Sequence, residues 1–367
     1  MENLELSPSF WKDRRILITG HTGFKGGWLS IWLQRLGAAV AGYALPASTK
    51  PNFFDAAHVA DAMTSVTGDV RDLDQLSGFV SEYQPEVIVH MAAQSLVRRS
   101  YADPVETYGS NVMGTVHVLE AARRCRDVRV FVNVTSDKCY ENREWPWGYR
   151  ENEAVGGHDP YSSSKGCAEL ITSAYRRSYF SSDSATGRPA SLALASARAG
   201  NVVGGGDWAK DRIVPDVMRA FVSGRAAVIR NPDSVRPWQH VLEPLRGYLK
   251  LAERLYHEGP AFAEAWNFGP SDDDARPVGW LVDRLCTLWG SPARWEHDAA
   301  GGQPHEAYFL KLDCSKASAK LGWRPSLCLE DALSWTVDWY KCFEGGGDVR
   351  ALTEEQIARY EAGKSSV

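Results

Sequence analysis

Short unbroken apolar runs punctuate the first half of the chain. Ile16-Leu17-Ile18, Val87-Ile88-Val89 and Val130-Phe131-Val132 are bounded by turn or polar residues. Ala39 to Tyr43 and Leu192 to Ala197 are weaker versions of the same pattern. An unbroken run of this length, rather than an alternating one, suits a strand buried on both faces, as in a parallel sheet. Stretches of helical character lie between the runs: Gly27 to Leu36, Asn111 to Arg124 and Tyr161 to Tyr179. This alternation predicts an α/β fold, a doubly wound parallel sheet with right-handed crossovers. After about residue 200 glycine, proline, tryptophan and arginine become frequent and the alternation loses its regularity, which predicts a smaller mixed C-terminal lobe. Near the end, Thr353 and Gln356 have capping-box spacing, which predicts a helix starting there and fraying toward Val367.

The first run leads into Gly20-His21-Thr22-Gly23-Phe24-Lys25-Gly26. Three glycines at this spacing, after a strand and before a helix, suit a Rossmann-type dinucleotide site. Glycine permits the tight turn and lets backbone approach a pyrophosphate. The helix N-terminus then offers unpaired N–H groups and a partial positive charge to the phosphates. The alternative is an ordinary glycine-rich turn. A ribose-binding acid is expected near the end of the second strand. That strand ends Gly42-Tyr43-Ala44-Leu45-Pro46, and no acid follows until Asp55. NAD and NADP both remain open at this point.

Composition narrows the class. The chain has 367 residues, 44% hydrophobic and 24% charged, with a formal charge of -5. That suits a folded protein with a sizeable core and gives no general attraction to nucleic acid or to an anionic membrane. No apolar run approaches the roughly 18 residues of a membrane span. The N-terminal residues, with Glu2 and Glu5, lack the pattern of a secretory signal, so a cytoplasmic location is expected. Seven cysteines are scattered without CxxC pairs or zinc-like Cys/His spacing. Reduced thiols and no metal are expected.

Two further clusters carry chemistry. Tyr161 and Lys165 are four apart in a stretch that should begin a helix after Pro160, so they share a face. An ammonium beside a phenol stabilises the phenolate, which can then take a hydroxyl proton as hydride leaves the adjacent carbon. Taken alone, such a pair is more often a surface contact. Thr135-Ser136-Asp137-Lys138 follows a buried strand at its C-terminal end, the edge where open α/β sheets bind ligands. The alternative there is a solvated polar turn.

Together, Gly20 to Gly26, Asp69-Val70, Met91-Ala92-Ala93-Gln94, Thr135 to Lys138 and Tyr161 to Lys165 resemble the extended short-chain dehydrogenase/reductase superfamily. Four stretches are similar to its nucleotide-sugar 4,6-dehydratases, and especially to those acting on CDP-glucose. They are Thr19 to Gly26, Thr135 to Tyr140, Arg198 to Trp208 and Arg236 to Val241. Lysine at position 138, where dTDP- and GDP-sugar dehydratases carry glutamate, is the main pointer to that branch.

The resemblance implies a redox-neutral dehydration of CDP-glucose to CDP-4-keto-6-deoxyglucose with NAD, serving deoxysugar and lipopolysaccharide-type polysaccharide synthesis. It implies catalytic roles for Ser136, Asp137, Lys138, Tyr161 and Lys165. It implies cofactor contacts at Gly20, Gly23, Phe24, Gly26, Asp69, Val70, Ala92, Ala93, Ser110, Thr135, Tyr161 and Lys165. Ser95, Asn201, Arg212, Arg236 and Asn267 are implied at the substrate, with Arg98 a further electrostatic candidate. Relatives place a phosphate-binding arginine near His305 and Glu306; Ala307 stands there, and no role is transferred. The expected division is residues 1–197 for dinucleotide binding, with added segments near 235–265, then 198–350 mainly for substrate and 351–367 as a tail. A homodimer paired through 111–124 and 161–179 is expected by analogy.

Three rivals remain: a dehydratase of a dTDP- or GDP-hexose, a nucleotide-sugar 4-epimerase, and a non-catalytic dinucleotide-binding regulator. An epimerase needs no acid–base pair beyond the Tyr–Lys unit, so Asp137-Lys138 disfavours it. A regulator tends to lose the tyrosine or lysine, and both stand here.

Overall fold

A computed structural model describes residues 6–180, 192–298 and 309–363. His305, Glu306 and the last four residues of the expected tail lie outside these. Chain order begins β1 (Arg15–Thr19), α1 (Phe24–Arg35), β2 (Ala39–Ala44), β3 (Thr64–Thr67), α2 (Leu73–Tyr83), β4 (Val87–His90), α3 (Gly114–Arg124), β5 (Val130–Val134), α4 (Pro160–Tyr179) and β6 (Ala193–Arg198). It continues with α5 (Leu242–Glu258), β7 (Ala265–Asn267), α6 (Leu329–Glu344) and α7 (Val349–Glu361). The strands form one parallel seven-stranded sheet in the order β7-β6-β5-β4-β1-β2-β3. The chain winds outward from β1 to β3 and returns to place β4 beside β1, so the direction of winding switches between those two strands.

The apolar runs are buried on both faces. Ile16, Ile18, Val87, Val89, Val130 and Val132 point into one core with Trp28 and Leu29 of α1 and Leu245 and Leu249 of α5. The alternate residues, Leu17, Ile88 and Phe131, point into the other with Leu76 of α2 and Val118 and Leu119 of α3. Water reaches neither face, so no polar alternation is required. No described helix is long and apolar enough to cross a membrane.

The second half adds three two-stranded pairings around the sheet's C-terminal edge. Val202–Val203 joins Gln239–His240, Val235–Pro237 joins Ala275–Pro277, and Ala227–Ile229 joins Trp295–His297. A cluster of Trp208, Trp339, Tyr340 and Phe343 ties this part to α6. β7 belongs to the main sheet, alongside β6.

Two local expectations are corrected. The final helix starts at Val349, one turn early, because Asp348 caps it through the Ala351 N–H. Thr353 lies inside the helix: its hydroxyl donates to Val349 O and accepts from the Trp339 indole at 3.0 Å. A threonine paired internally has no need to cap. The stretch expected as one helix from Asn111 begins instead with a wide π-turn, Gly109–Met113, and α3 starts at Gly114. A Cβ on Gly114 would stand 2.7 Å from a methyl of Val70, so glycine permits the close approach there.

Candidate functional site

The register aligns the ends of three strands. Thr19 of β1 pairs with His90 of β4, and His90 pairs with Asn133 of β5. Gly20, Met91 and Thr135 therefore leave the sheet along one edge, at the switch in winding, where open α/β sheets hold ligands. Thr19 stitches the edge: its hydroxyl accepts from the N–H groups of Met91 and Ala92.

The glycine loop is built for close approach. Gly20 has φ +80°, and a Cβ there would lie 2.8 Å from Ala92 N. A Cβ on Gly26 would collide with the Gly20 carbonyl. α1 starts at Phe24, earlier than the apolar pattern indicated, with Gly23 at its N-cap and no side chain capping it. The free N–H groups of this first turn and the absent Cβ atoms fit a dinucleotide diphosphate. Asp69 is held in place by Arg71, whose Nε is 2.9 Å from Oδ2. That guanidinium keeps the Asp69 carboxyl below its usual range. Val70 is buried, Ala92 and Ala93 follow β4, and Ser110 sits half-buried in the π-turn.

Beside the second strand, whose end was expected to carry a ribose-binding acid, lies the ring of His21. Its ring packs against Gly42, leaving no room for a Cβ, and its Nε2 lies 2.7 Å from Ser65 Oγ. Burial lowers its pKa to about 4, so the ring is neutral.

The polar residues after β5 meet those of α4. Ser136 caps a short turn, accepting from Lys138 N at 3.2 Å, and its hydroxyl donates to Asp137 Oδ1 at 2.9 Å. Burial raises the Tyr161 pKa to about 12; the Ser136 hydrogen bond and Arg212 oppose this, and Asp137 adds to it. Lys165, one turn on, reaches Val134 O at 3.5 Å, and burial lowers its pKa to about 8. Asn201 donates to Asp137 Oδ2 at 3.3 Å. The side-chain amine of Lys138 is half-buried and pairs with nothing among the described residues.

Arg212 donates to Asp207 at 2.9 Å and to Ser95 Oγ at 3.0 Å. Arg98 pairs with Asp211 at 3.3 Å nearby. Arg236 lies half-buried on the strand Val235–Pro237. Asn267 stands apart from the other substrate candidates. It is fully buried, and its amide is spent on Tyr149 O, Asp313 O and the Tyr140 hydroxyl, so it offers no surface to a ligand and supports the wall instead.

Residues 16–268 match the NAD dependent epimerase/dehydratase family. The chain belongs to that family. It is 53% identical over 355 residues to the CDP-glucose 4,6-dehydratase of Salmonella typhimurium, covering 97% of this chain and 98% of that one. Among solved structures, it resembles the UDP-glucose 4-epimerase of Thermotoga maritima with a TM-score of 0.76 at 21% identity, over 89% of this chain and 99% of the other. It also resembles the dTDP-glucose 4,6-dehydratase of Streptomyces venezuelae, in a structure with NAD bound, with a TM-score of 0.72 at 25% identity over 91% and 99%. The cofactor of the family is NAD, which answers the choice that the end of the second strand left open.

Three features of the site escaped the sequence reading. Lys25, inside the glycine motif, turns inward, and its amine lies 3.3 Å from the hydroxyl of buried Tyr248. Burial, with Lys165 and Arg212 adding, lowers its pKa to about 7, against the pull of Asp137. Glu169 continues the Tyr161–Lys165 spacing by one more turn and forms a buried ion pair with Arg198 at 2.8 Å. It also accepts from Thr135 Oγ1 at 2.5 Å and Ser196 Oγ at 2.7 Å. The repeat of four residues along α4 was the available signal. Gly200 lies so close to the Asp137 carboxylate that a Cβ would overlap it.

Proposed function

We propose that this protein is an NAD-dependent CDP-glucose 4,6-dehydratase. It converts CDP-glucose to CDP-4-keto-6-deoxyglucose and water. The observation that carries the reading is the Ser136–Asp137 hydrogen bond beside the buried Tyr161 and Lys165 of α4, with the amine of Lys138 unpaired among the described residues. An oxidising pair and an acid–base pair share one chamber, which a dehydration needs and a simple epimerisation does not.

NAD, when bound, supplies a hydride acceptor that later returns the same hydride, with the Gly20–Gly26 turn and the start of α1 holding its diphosphate. Tyr161 takes the proton from the sugar 4-hydroxyl, helped by Ser136 on the same oxygen and by the charge of Lys165. The resulting 4-ketone acidifies the C5 proton. Lys138 removes that proton, and Asp137 protonates the 6-hydroxyl as it leaves as water. Lys138 then returns its proton to C5 as C6 is reduced. Arg212 and Arg236 face the substrate diphosphate, where guanidinium groups suit bidentate pairing. Ser95 and Asn201 line the same cleft.

The protein acts in the cytoplasm as a homodimer. Met113, beside α3, and Leu170 and Tyr179, on α4, are exposed apolar side chains on the helices expected to pair. Sedimentation of L170D as a monomer, against a wild-type dimer, tests that pairing. Incubation with NAD and CDP-, dTDP- or GDP-hexoses, followed by mass spectrometry, tests the reaction. Loss of one water from CDP-glucose without net cofactor reduction supports it. An unchanged mass with altered configuration indicates an epimerase, and no conversion indicates a binding protein.

A further inference from the structure

The acid step of the proposed reaction needs a carboxyl oxygen of Asp137 at a fixed point, beside the departing 6-hydroxyl. Asp137 is 1% exposed, and its Oδ1 accepts from Ser136 at 2.9 Å. On its other side the carboxylate lies against the loop that leaves β6. A Cβ on Gly200 would overlap it, and the Asn201 amide reaches Oδ2 at 3.3 Å. The placement of the acid therefore depends on the backbone of Gly200 and Asn201.

That backbone is not in a relaxed form. Asn201 has φ +51°, in the left-handed region, which a residue with a side chain keeps only where its surroundings enforce it. Gln239 grips it from the stretch Arg236 to Val241, of which the proposed reaction uses only the arginine. The Gln239 backbone N–H donates to Asn201 O at 3.2 Å. Its side-chain amide donates to Gly200 O at 3.2 Å and to Phe268 O at 3.0 Å. Phe268 directly follows β7, so one carboxamide ties together the loops that leave two neighbouring strands.

Chemistry fixes which way this carboxamide faces. Turned over, Gln239 would set its carbonyl oxygen against two others. As it stands, its Nε2 serves both loops, and Oε1 is buried with no partner among the described residues. A buried acceptor without a partner is a local cost. What it secures is the placement of Gly200 and Asn201 beside a reacting group, and broken local rules gather at such places.

Resting on the proposed reaction, we infer that Gln239 is a positioning residue for the acid: it holds Gly200 and Asn201 against Asp137 and so aims the carboxyl group at the departing 6-hydroxyl. With 2% of its surface exposed, it acts through the loop and not on the sugar.

The test compares two leaving groups in the holoenzyme. With CDP-glucose the C6–O bond breaks with its electron pair on oxygen, which takes the Asp137 proton and leaves as water. With CDP-6-deoxy-6-fluoroglucose the C6–F bond breaks with its pair on fluorine, and fluoride leaves without a proton. The proton that Tyr161 takes from O4 then passes to solvent. Both routes give CDP-4-keto-6-deoxyglucose.

Q239M fills the space but has no N–H groups for the two carbonyls. Its kcat on CDP-glucose should fall about a hundredfold, as displacement of a reacting group by about 1 Å does, with KM unchanged. The absorbance of NADH should build up within a single turnover, because the oxidation that precedes the acid step is spared. Fluoride release from the analogue, read with a fluoride electrode, should keep the wild-type rate. The ratio of the two rates in one preparation does not depend on how much of it is folded. Q239N, whose amide falls one methylene short of the loops, should shift the same ratio less. Equal losses on the two substrates in either variant, or no loss on CDP-glucose in Q239M, overturn the positioning role alone. A wild type inert toward CDP-glucose overturns that role and the proposed reaction together.

Discussion

Replacing Arg198 by methionine should nearly unfold this protein at neutral pH and spare it in mild acid. Arg198 and Glu169 are each 4% exposed and 2.8 Å apart. Two unit charges about 4 Å apart at an effective dielectric near 20 attract by about 4 kcal/mol. Removing one partner of such a buried pair costs about 3–5 kcal/mol, because the other charge is left uncompensated. Arg198 also donates to the Tyr140 hydroxyl at 2.7 Å and to Glu151 O at 3.2 Å, and R198M strands those acceptors as well. The loss is a large part of a typical stability of about 5–15 kcal/mol.

The sign of the pH dependence follows from Glu169. In the wild type, burial alone would raise its pKa, but the Arg198 charge and hydrogen bonds from Arg198, Thr135 and Ser196 overrule it and hold the group below its usual value. Its stabilising contribution is therefore present above the unfolded value of about 4.3 and is lost as pH falls through the depressed one. In R198M only the Thr135 and Ser196 hydrogen bonds oppose burial, so the folded-state value is expected to rise above the unfolded one. Protonation then favours the folded state, and the penalty shrinks between about pH 8 and about pH 5.5. Urea unfolding of both proteins at the two pH values reads this directly. The double variant R198M/E169Q, with no stranded charge, should be more stable than R198M at the higher pH. A cost below about 1 kcal/mol, or a penalty that does not change with pH, refutes the reasoning.

G200A puts a methyl where the Asp137 carboxylate now lies. The carboxylate must move, and kcat should fall about a hundredfold, as misplacement by about 1 Å commonly does, while circular dichroism and the melting curve stay near those of the wild type. Unchanged kcat in G200A speaks against Asp137 as the acid. Lys25 has a pKa lowered to about 7 by burial, so the folded state disfavours its charged form. That penalty is full below about 7 and fades as pH rises toward the unfolded value of about 10.4. K25M should thus be more stable than wild type at neutral pH, with the gap closing in alkali; urea unfolding of the free protein at both ends checks it, and a K25M less stable than wild type at neutral pH contradicts it.

The sheet was legible because burial on both faces leaves an unbroken apolar run, and Ile16 to Ile18, Val87 to Val89 and Val130 to Val132 have that form. β3 was not legible, since Thr64 to Thr67 is an edge strand largely open to solvent and has no such run. The C-terminal edge of β1, β4 and β5 could be anticipated from motifs that each follow a strand. The contacts behind it could not. Asn267 reads as a polar residue near a cleft, and only the fold shows its amide consumed by Tyr149, Asp313 and Tyr140. Arg198 and Glu169 are 29 residues apart, and no local spacing pairs them. Asp348 preceded the stretch read as helix, and a Thr–Gln spacing five residues later imitated the cap it supplies.

Lys25 and Arg198 differ in what their burial accomplishes. Arg198 is matched by a carboxylate, so its charge holds the wall behind Thr135. Lys25 has a phenol for a neighbour, and burial with Lys165 and Arg212 disfavours its charged form against the pull of Asp137. Retained local costs of that kind gather where a ligand supplies what the chain lacks.

The most direct test follows a label through one turnover. CDP-glucose carrying deuterium at C4 is incubated with the protein and NAD, and the product is read by mass spectrometry and proton NMR. The account predicts a 4-keto-6-deoxy sugar that has lost one water and carries the deuterium at C6, because the hydride taken from one carbon is returned to the other. Product without deuterium at C6, or recovery of labelled sugar with only its configuration changed, contradicts it.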